Sequence, residues 1–563
     1  MRIKIAISLV LFLSACSLLP QDTTEAVHEE EVEEVSQESE SDKLARLQAE
    51  YEANEALRQT ELGEFYVPLP TVGTIFEEKE TTVKALYVTF NIAGLGFKEE
   101  DVDLYADYIT KTRNNQSFDS NLLESVNRLE EILGMVKATE INALVIDVKD
   151  DRGMVGYPSN IELVQNLGAN KDTPWDDPEI LMDYLKSLDV YTIARVVAFK
   201  DPHFASLNAD HAIQLTAGGV YKDKSGFAWV NPFDPYVWNY QIAVAQEAAL
   251  KGFDEIQFDY VRFPDNAKYY NEITTFPGRD GLAKDEAIQA FLKKAKADLE
   301  PYHVKLSADV FGVIGHSWED EPEDIGQTWI KIASEIDVMS PMVYPSHYGS
   351  GFYGYDVPDA HPYEVVKKAL QESIEKNASV ENAASIRPWL QGFTASWVKG
   401  YISYDEKAVQ DQIRAAYDLG IEEYIIWMSS NKYQAQAYFT ENFPIKGLEV
   451  GYDRMNRSAE DALKRYLDAQ KALRLSHLYL LTPIAQRSIS YDEFAMNYKA
   501  NNLSLKSYEI LSITEAEGIY SANVLVKYTS DLGSAEGELV YQVSLENEVF
   551  KITVPQLEFV KDE

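Results

Sequence analysis

Ile256-Gln257-Phe258-Asp259-Tyr260-Val261-Arg262-Phe263-Pro264 is an apolar, β-prone run that carries a carboxylate and a guanidinium and stops at a proline. Apolar residues at both parities suit a parallel strand covered on both faces. Working outward, comparable runs occupy Lys84–Phe90, Ala143–Val148, Tyr191–Phe199, Lys305–Phe311, Asp337–Tyr344, Arg387–Phe393 and Glu423–Met428, and Glu255–Phe263 completes the set. Helical patterns lie between them at Leu122–Lys137, Ile180–Leu188, Trp238–Leu250, Lys284–Leu299, Gly326–Glu335, Glu364–Lys376 and Glu406–Leu419. Alternating β and α elements predict a parallel sheet with crossover helices, and eight repeats predict closure into an α/β (β/α)8 TIM barrel over residues 80–445. An open doubly wound sheet is the rival. No GxGxxG or GxxxxGK[ST] opens any of the helices, which removes the nucleotide-binding reason for preferring it.

The flanks differ in kind. Arg2 and Lys4 precede an uncharged apolar run, Ile5 to Leu13, too short to span a bilayer as a mature helix. It ends in Leu13-Ser14-Ala15-Cys16, which resembles the bacterial lipobox and implies a signal peptide over 1–15, lipid on Cys16 and an extracytoplasmic, membrane-anchored protein. Cys16 is the single cysteine, so neither an intramolecular disulfide nor a cysteine zinc site can form. Glutamates crowd the tract that follows, and residues 16–60 read as an acidic stalk, partly helical between Asp42 and Gln59. Beyond Gly451, a helical stretch at Ala459–Leu480 precedes alternating segments at Tyr508–Thr514, Ala522–Tyr528, Gly537–Glu546 and Val549–Val554. These predict a small α+β accessory domain over 452–563, with a faint similarity to NTF2-like domains. All eight tryptophans fall between Trp175 and Trp427, outside this tail. The net charge of −41 repels nucleic acid phosphates, so no nucleic acid partner is expected.

Catalytic groups of such a barrel gather at the C-terminal ends of its strands. The second predicted strand ends in Asp147, the third carries Arg195, the fourth Asp259 and Arg262, and the fifth Asp309. Burying a lone carboxylate costs several kcal/mol, so repeated acids within strand cores are either ion-paired or functional. A structural pairing would join Asp147 or Asp259 to Arg195 or Arg262. A functional one would set Asp259 and Asp309 on either side of a glycosidic bond. Their strands are adjacent, about 4.8 Å apart, which brings two carboxylates within reach of the roughly 5 to 9 Å that glycosidases use. Tyr344, Trp389 and Trp427 are placed to pack on a sugar face, with barrel filling as the alternative. His316 and His347 follow strands five and six, but no HExxH or close histidine pair occurs, and neither metal nor cofactor is expected.

The string Gly252 to Pro264, above all Asp-Tyr-Val-Arg-Phe-Pro at 259–264, resembles the predicted glycoside hydrolase barrel domain of bacterial extracytoplasmic proteins. Ala143–Asp150, Trp229-Val230-Asn231-Pro232, Ser307–Gly312 and Ser340–Tyr344 carry the resemblance further. It implies a glycosidase-type barrel over roughly residues 80–440. Gly252 to Val261 is also similar to the strand-four motif of chitinase-like barrels, which have an acidic proton donor where this chain has Val261. An apolar side chain cannot protonate a leaving group, and Asp309 is the substitute by position.

These readings converge on hydrolysis of an envelope or environmental polysaccharide, with Asp259 as nucleophile or base, Asp309 as acid, and Asp147, Arg195, Arg262, Tyr344, Trp389 and Trp427 around the sugar. A non-catalytic glycan-binding or envelope-organising lipoprotein, and a structural lipoprotein whose strand acids are ion pairs, are the alternatives.

Overall fold

The computed structural model describes residues 40–71, residues 81–439 without 172, 317–320, 378–379 and 381, and, further on, 451–452, 457–471, scattered positions between 473 and 498, and 504–553 without 531–532 and 547–548. Cys16, the signal segment and the acidic tract before residue 40 lie outside the described residues.

The central strands are β1 (Lys84–Val88), β2 (Ala143–Lys149), β3 (Tyr191–Val197), β4 (Glu255–Asp259), β5 (Lys305–Phe311), β6 (Val338–Met342), β7 (Ser385–Ile386 and Trp389–Gln391) and β8 (Tyr424–Trp427). Each pairs in parallel with its neighbour, and β8 pairs with β1, closing the sheet into a (β/α)8 barrel. The break in β7 falls at Arg387-Pro388, where proline has no N–H to give the ladder.

The unbroken apolar runs reflect two cores served by alternate residues. Val83, Ala85, Tyr87, Ala143, Val145, Tyr191, Ile193, Trp389 and Ile425 fill the barrel. Leu86, Val88, Leu144, Ile146, Ala194, Val196, Ile256 and Phe258 pack outward under the helices. Three of those helices begin at Asp-Pro pairs. Asp177, Asp201 and Asp234 accept backbone N–H groups of the first turns of Pro178–Ser187, Pro202–Leu207 and Pro235–Leu250, and proline suits the position after the cap. Two of these starts lie a few residues ahead of the predicted Ile180 and Trp238. The strand predicted to run to Phe263 ends at Asp259, because Tyr260 takes a left-handed conformation (φ 49°) and turns the chain out of the ladder.

At the N-terminal ends of the strands, Arg387 reaches across the barrel floor. It donates to Glu255 at 2.8 and 3.0 Å and to Glu423 at 3.0 Å, and the Tyr191 hydroxyl also donates to Glu255 at 3.0 Å.

The helix Glu40–Leu62 occupies the end of the predicted stalk. The segment after it folds back on the helix, Glu55 accepting from the Tyr66 hydroxyl and from Leu69 N, and this segment is held to the barrel side, where Tyr236 donates to Glu64 and Tyr302 donates to the carbonyl of Pro68. No helix among the described residues is long and apolar enough to cross a membrane. In the C-terminal part, the helix Ala459–Lys471 packs on an antiparallel meander of β9 (Ser504–Ala516), β10 (Ile519–Ser530), β11 (Gly533–Glu546) and β12 (Val549–Thr553). Most of the predicted helix beyond Lys471 lies outside the described residues.

Truncating Arg387 leaves Glu255, 0% exposed, without its counter-charge. Arg387→Ala is expected to lose about 3–5 kcal/mol of stability, measured as a lower urea midpoint at unchanged slope.

Candidate active site

The inward parity of β2, β3, β4 and β5 places Asp147, Arg195, Asp259 and Asp309 at the C-terminal end of the barrel. Register sets Asp147 opposite Arg195, and it pairs Phe258 with Ala308, so Asp259 and Asp309 follow at the same height on adjacent strands.

Arg195 joins two of the acids. Its Nη1 donates to Asp147 Oδ1 at 2.6 Å, and its Nε donates to Asp259 Oδ2 at 3.0 Å, with Nη2 on the same oxygen. Tyr87 donates its hydroxyl to Asp147 Oδ2. The guanidinium lies between rings, 5.6 Å from the centroid of Tyr87 and 5.5 Å from that of Trp427. Burial alone would lower the pKa of Arg195, but the carboxylates of Asp259 and Asp147 more than reverse this and secure its charge. Burial raises Asp147 despite Arg195 and Tyr87. The other oxygen of Asp259, Oδ1, accepts the N–H of Tyr260 at 2.5 Å. Three side-chain and backbone donors from two residues thus hold Asp259 in one orientation.

Asp309 meets a different environment. It is 1% exposed; Oδ1 accepts the indole N–H of Trp389 at 2.6 Å, while Oδ2 has no hydrogen-bond partner among the described residues. Burial, reinforced by the charge of Asp259, pushes its carboxyl well above the usual carboxylate range, and Arg195 and the Trp389 N–H offset only part of this. Two carboxylates side by side, one clamped by donors and one held neutral, can divide base or nucleophile and acid work between them.

The remaining predicted residues divide. Trp389 is 2% exposed, packed edge-on against Tyr87 and Trp427 at 6.2 and 5.9 Å, and its N–H is committed to Asp309. Its ring therefore fills the barrel and orients the acid. Trp427 is partly exposed and lies against Tyr87 at 4.1 Å. Tyr344 is buried, and its hydroxyl lies in the field of Asp309 and Asp259, with burial first in raising its pKa. Arg262 does not join the strand acids. Beyond the Tyr260 turn it sits between Trp229, Tyr260 and Phe311 and pairs with Asp265 at 3.0 Å. Val261 is buried in the outer core, away from the barrel interior. His316 is engaged by Glu372 at 2.9 Å, and His347 packs edge-on to Tyr344 at 5.1 Å. Among the described residues no group of three or more histidine, cysteine, aspartate or glutamate side chains is placed to hold a metal ion.

Tyr87 and the pair Lys149–Asp201 escape the sequence reading. Tyr87 is legible from the alternation Val83, Ala85, Tyr87, which faces the interior once the barrel is accepted. Lys149 and Asp201 are both 0% exposed and meet at 2.8 Å, tying the end of β2 to the loop after β3. No local signal in the sequence joins two residues so far apart.

A family described as "Putative glycosyl hydrolase domain" matches residues 119–433, more than half of the chain. No curated protein matches. Among solved structures, a hypothetical protein from Ruminiclostridium thermocellum is 34% identical over 40% of this chain and 97% of its own, with a TM-score of 0.31. The glycoside hydrolase domain of PgaB (BpsB) from Bordetella bronchiseptica is 11% identical over 62% of this chain and 95% of its own, with a TM-score of 0.38. The spore cortex-lytic enzyme SleL of Bacillus megaterium is 12% identical over 68% of this chain and 80% of its own, with a TM-score of 0.34.

An unfolded aspartate ionises near pH 3.9, about the solution value, whereas folded Asp309 keeps its proton to higher pH. Between those two values the folded chain binds a proton that the unfolded chain has released, so this group lowers stability as pH rises through the window. Asp309→Asn stays neutral throughout. It is expected to melt with the parent at about pH 4 and above it at about pH 7; equal melting temperatures at both values would contradict the raised pKa.

Proposed function

This chain belongs to the glycosyl hydrolase domain family whose model spans residues 119–433, and from that footing we propose that it cleaves a glycosidic bond in a cell-envelope or environmental polysaccharide by a two-carboxylate mechanism. The observation that carries this reading is the contrast between Asp259 and Asp309. The donors on Asp259 suit a group that attacks the anomeric carbon or draws a proton from water. Asp309, kept neutral by burial, holds a proton to give to the leaving oxygen, and its unpartnered Oδ2 is the atom free to deliver it. Arg195 and Tyr87 hold the anionic side of the site, while Tyr344 and Trp427 bound the space beside the acids. Cys16 carries the lipid that tethers the enzyme outside the cytoplasm, a reading supported by the Leu13-Ser14-Ala15-Cys16 string.

A second reading, glycan binding without turnover, draws on the 1% exposure of Asp309. Release of reducing ends from envelope glycans by the full chain in mild detergent separates the two. Asp259→Asn and Asp309→Asn are each expected to lower the rate by about 10²–10⁴-fold. Loss in Asp259→Asn alone would assign the proton donor to another residue, and glycan binding without any release would select the second reading. The mature chain is expected to begin at Cys16 and to carry acyl chains there, read as added mass on the N-terminal peptide by mass spectrometry; an unmodified Cys16 would rule out the lipid tether.

A further inference from the structure

Trp397 lies in the loop after β7 and is 67% exposed, although an indole ordinarily gains from burial. The loop that presents it is built to hold still. Buried Asp359 accepts from Gln391 Nε2 at 3.1 Å and from Ile402 N at 3.2 Å, while the Tyr404 hydroxyl donates to its backbone carbonyl at 3.0 Å. Gln391 also donates to the Phe393 carbonyl at 3.0 Å, and Tyr404 N donates to Thr394 Oγ1 at 3.0 Å. Ala395, 0% exposed, anchors the turn, its carbonyl accepting Val398 N at 2.9 Å. The exposed ring is therefore part of a fixed surface.

Its surroundings give that surface a direction. The rings of Trp397 and Phe393 are stacked, with centroids 5.9 Å apart and planes 18° apart. Phe393 in turn meets Tyr344 edge-on at 5.8 Å. Tyr344 borders the two carboxylates, so an unbroken aromatic path runs from the acids outward to an uncovered indole face. An apolar face flat enough to stack, continuous with the reaction centre, suits a pyranose ring, which presents C–H groups on one side and hydroxyls at its edge.

We propose that Trp397, backed by Phe393, is a sugar-binding subsite remote from the scissile bond, and that the enzyme consequently grips an extended polysaccharide. This rests on the glycosidase reading for its ligand class. The platform contributes affinity for polymer and leaves the chemical step untouched, because Trp397 is placed to meet a sugar unit other than those flanking Asp259 and Asp309.

The test is migration of the full chain in detergent through native gels cast with glycol chitin, xylan, a β-1,3-glucan or peptide-stripped peptidoglycan strands, with reducing ends measured on the same polymers. The parent is expected to be retarded by at least one polymer. Trp397→Ala should weaken that retardation about tenfold, the size of a lost ring contact, and Trp397→Tyr should restore most of it. On a cleaved polymer, Trp397→Ala should raise KM with kcat unchanged. Equal retardation of parent and Trp397→Ala, or no retardation of the parent by any polymer, overturns the subsite. Retardation that depends on Trp397 without release of reducing ends upholds the subsite and refutes the hydrolase reading. Release that is indifferent to Trp397 does the reverse.

Discussion

A guanidinium enclosed in a barrel has no water to fall back on, and Arg195 answers that constraint by binding two carboxylates at once. Removing an ion from water costs several kcal/mol even after relaxation, so neither the arginine nor the acids are tolerable alone. The fork of the guanidinium converts this requirement into orientation, because its N–H groups point in fixed directions. Asp147 is turned toward Tyr87, and Asp259 is turned so that its second oxygen meets the N–H of Tyr260. With one arginine already hydrogen-bonded to two acids, Asp309 takes no hydrogen bond from it, and burial, reinforced by the charge of Asp259, outweighs the pull of Arg195 and raises its pKa.

The same logic operates at the other end of the strands with a different outcome. Arg387 also spans two acids, Glu255 and Glu423, but there every partner is spent within the network and Tyr191 closes it. That end resembles a structural floor. At the C-terminal end, Asp309 Oδ2 is left without a partner among the described residues, and a buried polar atom without a partner is costly unless something else meets it. Between the two charged layers the barrel is filled mainly by aromatic and small apolar side chains, with Gln257 donating to Ser340 Oγ at 3.2 Å among them, and the enclosed interior strengthens the electrostatics on either side.

The alternating pattern of strands and helices was legible because each strand serves two cores and each helix covers one of them. Runs such as Leu144–Val148 need apolar residues at both parities, and this is visible without any tertiary knowledge. Asp147, Arg195, Asp259 and Asp309 were legible for the complementary reason: a charged residue in such a run is energetically anomalous and attracts attention. Strand ends were less legible. Only the positive φ of Tyr260 terminates β4, and nothing in Asp-Tyr-Val-Arg-Phe announces it. The consequence reaches the site, since Arg262 leaves the interior and Val261 joins the outer core.

By itself, then, the amino-acid sequence determined the barrel, its order of elements and the set of ionisable residues at its mouth, because periodicity and misplaced charge are local properties of a chain. Tertiary structure alone decided how those residues are shared: which acids take Arg195, which is left to a tryptophan N–H, and that Trp389 is enclosed while Trp397 stands open. Partnership in a closed barrel depends on register and on competition among residues far apart in the chain. A single side chain's identity records neither.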